Sequence, residues 1–406
     1  MHAFLQDLRY AVRALRRAPG FSVAAVVTLA LGIGATTTIF TVVNGVLLRS
    51  LPYVHADRIM NIWNDFGENA QSLPAVSPLD FRDYQQRSRT FESFAAASAG
   101  SVAGLSGNLT GSGEPERVEL ATVTANFFPL FGVQPQYGRT FLPEEEAPKG
   151  PHVVMLSDRL WRSRYGADPR VVGSTIQLDG VAHEVVGVLP GDFRLALPAE
   201  AFLVTDAELW APLQFDYSQA PPRNYTFFTV FGRLKPDVTL AQAQAELNGI
   251  ALQFRKEFPE HAGTQVRIRA VPLQEDVVKH ARPALLILLG AVGLVLVIAC
   301  ANVAHLLLVR ATVREGEFAL RTALGASRWA VVRQLLTESS LLAVAGGALG
   351  LMVTTLALGL LRALHPSNLP RLGEIDVDGR VLGFTALTCL VTTLAFGLAP
   401  ALQSAR

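Results

Sequence analysis

Residues 310–350 read RATVREGEFALRTALGASRWAVVRQLLTESSLLAVAGGALG. Arginines at 310, 314, 321, 328 and 333, interleaved with Glu315, Glu317 and Glu338, sit between two long apolar runs. A segment tied to apolar runs at both ends cannot act as a loose loop. Arg314, Glu317 and Arg321 follow i, i+3, i+7 spacing and share one face of a predicted helix over 314–324, with Phe318 and Leu324 on other faces. Gly325 is a helix stop and Ser327 an N-cap for a second helix that begins at Arg328. That second helix feeds straight into the next apolar run. Two short helices joined by a tight turn form a lever, and a partner gripping the first would tilt the apolar run beyond the second. Topology alone would require the arginines, but not the interleaved glutamates or the Gly-Ala-Ser break.

The chain of 406 residues is 50% hydrophobic and 17% charged. Soluble domains carry about 25% charge, so the deficit points to membrane spans. Apolar runs at 21–48, 283–309, 341–361 and 381–402 are each long enough for a span, which needs roughly 20 residues. The first is too long for a cleaved signal, whose apolar region is about 7–15 residues, and is expected to be a retained anchor. Arg9, Arg13, Arg16 and Arg17 precede it in an amphipathic helix over 1–20 that would lie on the inner leaflet. The positive-inside rule puts this helix and the 310–340 segment in the cytoplasm. Segments 49–282 and 362–380 are then outside, and both termini inside. The expected fold is a multi-span α-helical membrane protein with four transmembrane helices and a large α+β periplasmic domain inserted between helices 1 and 2. Net charge is +1, with no global basic field for nucleic acid.

Within 49–282, residues 157–165 predict a short helix capped by Ser157. Residues 174–189 predict a hairpin turning at Asp179-Gly180. A strand is predicted over 227–234 and an amphipathic helix over 239–258, capped by Thr239, with Leu240, Ala243, Leu247, Ile250 and Phe254 on one face. His152, His183, His261 and His280 are far apart in sequence and none has a zinc spacing. No catalytic cluster, metal site or cofactor is expected, and the domain reads as a binding or mechanical module. No lysine follows a glycine anywhere in the sequence, which excludes the P-loop pattern GxxxxGK[ST]. Inside the spans, Gly346 and Gly350 form GxxxG, and Gly32 and Gly34 sit beside Thr36, Thr37 and Thr38; these small residues suit close helix packing. Asn302 and His305 are an intramembrane polar pair, expected to hydrogen-bond between helices. Cys300 and Cys389 lie in apolar runs and read as packing residues.

These motifs resemble a family. Residues 314–350 resemble the FtsX-like permease domain of MacB-type ABC transporters. The stretch 8–53 (LRYAVRALRRAPGFSVAAVVTLALGIGATTTIFTVVNGVLLRSLPY) is similar to the first span of the duplicated permeases of acidobacteria, of which this chain resembles one half. ANFFPLFGVQPQYGRTF (125–141), residues 153–193 and GRLKPDVTLAQAQAEL (232–247) are similar to the MacB periplasmic core domain. The resemblance implies a permease in the bacterial inner membrane that has no catalytic site of its own. It would convert ATP hydrolysis by a separate ABC ATPase into periplasmic conformational change, for efflux or envelope export. Residues 314–324 would be the coupling helix in the ATPase groove. The ATPase fused in MacB is absent, and so is the second half of the duplicated permeases, which implies either a truncated half or a self-dimerising unit. The implied partners are the ATPase, a second permease unit or half, membrane lipids, and a periplasmic or outer-membrane protein, with no nucleic acid. The alternative reading is a membrane-anchored periplasmic ligand-binding sensor.

Overall fold

The computed structural model describes residues 9–13, 15–65, 75–98, 106–111, 114–198, 201, 207–258, 261, 266–313, 328–364 and 375–403, with side chains left out at 311–313, 328–332, 335 and 396–403. The chain divides into two units. One is Ser50–Val278, and the other combines Met1–Arg49 with Lys279–Arg406. In chain order the elements are α1 (Pro19–Val43), β1 (Ile59–Asp65), α2 (Pro78–Arg87), β2 (Phe91–Ser98), β3 (Ser106–Thr110), β4 (Glu116–Val123), α3 (Phe127–Phe131), β5 (Tyr137–Gly138), β6 (Val153–Leu156) and α4 (Asp158–Tyr165). They continue with β7 (Thr175–Leu178), β8 (Val181–Val188), β9 (Leu209–Pro212), β10 (Thr229–Leu234), α5 (Leu240–Glu257), β11 (Arg267–Pro272), α6 (Leu273–Val278), α7 (Ala281–Val313), α8 (Arg328–Leu364) and α9 (Gly379–Gln403).

The helical unit follows from apolar length. Among the described residues three helices are long and apolar enough to cross a membrane, over Pro19–Leu48, Ala281–Arg310 and Leu336–Leu364; α9 carries a shorter apolar stretch, Gly379–Ala395. Pro19 opens α1 where a missing N–H costs nothing, and α1 runs on into a π-helical turn over Asn44–Leu48. Its hydroxyls are satisfied locally: Thr36 donates to the Gly32 carbonyl at 2.8 Å, Thr38 to Gly34 at 2.7 Å and Thr41 to Thr37 at 2.7 Å. Such back-bonding makes threonine tolerable where no water reaches. Ala25, Leu29 and Ile33 on α1, Val303 and Leu307 on α7, and Leu342 and Ala343 on α8 form the unit's core.

The second unit is one mixed sheet with helices. Along the path β11-β1-β10-β2-β4 the strands form an open, antiparallel sheet. Helices α2 and α5 contribute to its core, through Phe81, Tyr84, Leu247, Ile250 and Phe254 against Ile62, Phe94 and Val230. From β4 the path runs through β3, β7, β8, β6 and β9, and β9 pairs back onto β4. Those strands therefore close into a ring, which removes their edges, around a second core of Leu109, Val154, Leu160, Val185 and Leu209. Between the two cores, Phe127, Phe128 and Phe131 of α3 cluster with Trp210 and Phe231.

Local chemistry accounts for the predicted elements. The hairpin β7–β8 turns at Asp179 (φ 49°) and Gly180 (φ 79°), the two positive φ values that a two-residue type I′ turn requires. Ser157 caps α4 by accepting from the Leu160 N–H, and Gly166 closes it in the left-handed region. Thr239 and Gln242 form a capping box on α5, which buries Ala243, Leu247, Ile250 and Phe254; Leu240 stays exposed. Helix α2 is absent from the sequence expectations. Its signal is Ser77, which accepts from the Asp80 N–H, with Pro78 next in the first turn.

Candidate functional site

The predicted coupling residues Arg314, Glu317, Phe318, Arg321 and Leu324, and the lever residues Gly325 and Ser327, lie outside the described residues. The helix they lead into is described. From Arg328 to Leu364, α8 is one uninterrupted helix of 37 residues, about 55 Å long at 1.5 Å per residue.

The predicted glycines sit at close helix approaches. A Cβ on Gly34 would lie 3.0 Å from the Gly350 carbonyl oxygen and 3.2 Å from its Cα, so the backbones of α1 and α8 touch there. On Gly346 it would lie 2.7 Å from the Leu29 Cβ. Gly32 faces α7 instead, where a Cβ would meet Ala299 and Leu296 at 3.2 Å. Close approach of backbones is what small residues permit in a membrane, where no hydrophobic force drives helices together.

A seam of hydroxyls accompanies the glycines. Thr354 of α8 donates to the Gly34 carbonyl and lies 3.2 Å from the Thr38 hydroxyl. Thr37 pairs with Thr385 of α9 at 3.3 Å. Phe40 stacks on Phe384 with ring centroids 3.9 Å apart. At the end of α1, the Asn44 amide donates to the Asp378 carboxylate at 3.0 Å, while Asp378 caps α9 by accepting from the Arg380 and Val381 N–H groups. Those hydrogen bonds hold its carboxyl below the ordinary aspartate range. Near the other end of α7, the Arg310 guanidinium lies 4.7 Å from the Phe21 ring centroid. Thus α1 is bonded to both α8 and α9.

Asn302 and His305 are placed differently from expectation. Both are exposed on α7, and neither hydrogen-bonds another described residue. The physical reason is the helical stripe: Val303 and Leu307 face the bundle, so residues 302 and 305 fall on the opposite side of the helix. Cys300 and Cys389 are free and partly buried.

In the sheet unit the structure joins polar groups that sequence spacing did not connect. Asp80, Asn64, Tyr84 and His261 are fully buried. Arg223 bridges Asp80 at 2.5 Å and Asp83 at 2.7 Å, and lies 3.5 Å from the centroid of Phe258. His261 donates from Nε2 to Asp80 at 3.2 Å, and Asn64 donates to Asp80 while accepting from the Tyr84 hydroxyl. Burial and the charge on Asp80 push the Tyr84 hydroxyl well above its ordinary value, so it remains a donor. Glu145, in the acidic 144–146 loop, is buried on Arg139 at 2.6 Å. Among the described residues no three His, Cys, Asp or Glu side chains gather as a metal cluster. Sheet pairing does, however, bring His152 and His183 together, with ring centroids 5.2 Å apart.

Comparison with known proteins finds two families along the chain. Residues 22–250 match the MacB-like periplasmic core domain family and residues 289–406 the FtsX-like permease C-terminal family. The macrolide export ATP-binding/permease protein MacB of Escherichia coli (strain K12) is 25% identical over 299 residues, which is 70% of this chain and 41% of that protein. The chain therefore spans about two fifths of the length of the curated relatives it matches. The crystal structure of the periplasmic region of MacB from Actinobacillus actinomycetemcomitans covers 59% of this chain and 95% of its own, at 14% identity and a TM-score of 0.39.

Proposed function

The chain belongs to the MacB/FtsX-like ABC transporter permeases, and on that basis we propose that it is a mechanotransmitting subunit driven by a separate ABC ATPase. In this reading the ATPase grips residues 314–324 in the cytoplasm. ATP-driven movement of that grip displaces α8, and α1 moves with it because the two helices are in backbone contact. From α1 the chain passes through the Asn44–Leu48 turn directly into the sheet unit, whose conformational change performs efflux or envelope export. Four helices cross the membrane, α9 being the fourth, and both termini are cytoplasmic. A second permease unit, or a second half, completes the assembly, and a periplasmic or outer-membrane protein receives its output.

The observation that carries this reading is the join of a long uninterrupted helix to α1. Gly34 meets Gly350 backbone to backbone and Leu29 packs directly on Gly346, and packed interfaces of this kind shift between discrete arrangements instead of deforming continuously. π-helical turns recur at functional positions, and the one at Asn44–Leu48 ends α1.

The test is co-purification of the full chain with an ABC ATPase subunit co-expressed from the same genome. Arg321→Glu and Phe318→Ala are each expected to abolish recovery of the ATPase while the permease still reaches the membrane. Undiminished recovery with both variants removes the coupling assignment.

A further inference from the structure

We propose that His152 and His183 form a binding site for a single divalent transition-metal ion of the imidazole-preferring class, such as Cu2+ or Zn2+. Strands β6 and β8 run parallel, with Val153 opposite Glu184 and Val154 opposite Val185. The residues one step earlier, His152 and His183, are then cross-strand neighbours on the face that carries Val154 and Val185 into the core. The Glu184 N–H donates to the His152 carbonyl at 2.9 Å, which continues the pairing to this position.

The ring geometry suits one shared ion. The two centroids are 5.2 Å apart with planes inclined at 51°. Two imidazoles bound to one tetrahedral ion at metal–nitrogen distances of about 2.0–2.1 Å have centroids about 5 Å apart. The tautomer of His183 is fixed by its neighbour: Nδ1 lies 3.0 Å from the Val181 carbonyl oxygen, which can only accept, so Nδ1 carries the proton. The lone pair is then on Nε2, and a carbonyl holding the other nitrogen is the usual orienting device of a metal-bound histidine. No described residue hydrogen-bonds the His152 ring, which is exposed, while His183 is half-buried.

Strand placement sets both side chains before an ion arrives, and the exposed side of the pair leaves the remaining coordination positions to water. An ion there would staple the start of β6 to β8 and fix the end of the long connection from β5. The site does not depend on the mechanotransmission reading.

The test uses the full chain in detergent, without a polyhistidine tag. Cu2+ is titrated by calorimetry and its coordination read from nitrogen hyperfine structure in electron paramagnetic resonance. The wild type is expected to take up one ion with two nitrogen ligands. Loss even of an outer-shell partner costs about 10- to 100-fold in metal affinity, so H152A and H183A are each expected to bind at least about tenfold more weakly. H55N is the control, because asparagine tolerates the left-handed backbone at that position (φ 54°). Zn2+ should also raise the Tm of the wild type and leave that of the H152A/H183A double variant unchanged. A wild type and double variant that bind Cu2+ equally, with the same nitrogen signature, overturn the proposal. So does a wild type that binds none.

Discussion

At the residue scale, the glycines of the helical unit show how little space separates α1 from α8. Gly346 is the tightest of those at this contact, since an added Cβ would meet that of Leu29 at 2.7 Å. Gly346→Ala is expected to destabilise the full chain by about 1–3 kcal/mol through overpacking, read from thermal unfolding in detergent. Gly290→Ala, with nothing within 4 Å of the new methyl, should be close to neutral. Equal effects of the two would mean that the contact is not what matters. The GxxxG spacing was legible in the sequence because it is local to one helix. Its partners, Leu29 and Gly34, were not, because no local pattern says which helix a small-residue face meets. The same holds for Arg223 with Asp80 and Asp83. Each is unremarkable in its own stretch, yet together they form a buried pairing whose disruption leaves an uncompensated charge.

At the element scale, α5 is tied to the sheet through side chains. The Gln244 amide donates to the Ile268 carbonyl and accepts from the Ala270 N–H, continuing the hydrogen-bond pattern of edge strand β11. Glu246 gathers the hydroxyls of Ser88 and Thr90 and the N–H groups of Arg89 and Thr90, all just before β2. Burial pushes its carboxyl up, but these four donors outweigh burial and hold it below the ordinary glutamate value. A carboxylate lowered in the folded state contributes stability that is complete above its unfolded value and is lost as pH falls through the folded one. The wild type is therefore expected to lose stability on acidification below the ordinary glutamate range. Glu246→Gln should be less stable at neutral pH and show a shallower acid dependence in denaturant unfolding. An unchanged slope would remove Glu246 from the acid response. Helices α4 and α5 and the β7–β8 hairpin were legible because their caps and turn lie within a few residues of them. The ring closure of β9 onto β4 was not, since it joins strands whose sequences carry no mark of each other.

At the scale of the whole molecule, the proposed function requires the sheet unit and residues 314–324 to lie on opposite sides of the membrane, the arrangement expected from the positive-inside rule. With Cys300 and Cys389 replaced by alanine, a cysteine at the exposed Lys235 is expected to react with a membrane-impermeant maleimide in intact cells. One at Arg321 should react only after permeabilisation. Labelling of both from the same side would end the mechanotransmission reading. The amino-acid order was enough to establish the apolar helices, the insertion of a sheet domain after the first of them, and the family. These depend on hydrophobic length, charge at the flanks and short motifs, all of which are read along the chain. Folding in three dimensions was needed to establish which glycines touch, that Asn302 and His305 lie off the packed stripe of α7, that Asp80 and Arg223 are buried together, and that His152 meets His183. Strand register and helix rotation are set by which distant surfaces pack best, and that choice is made between segments, not within them.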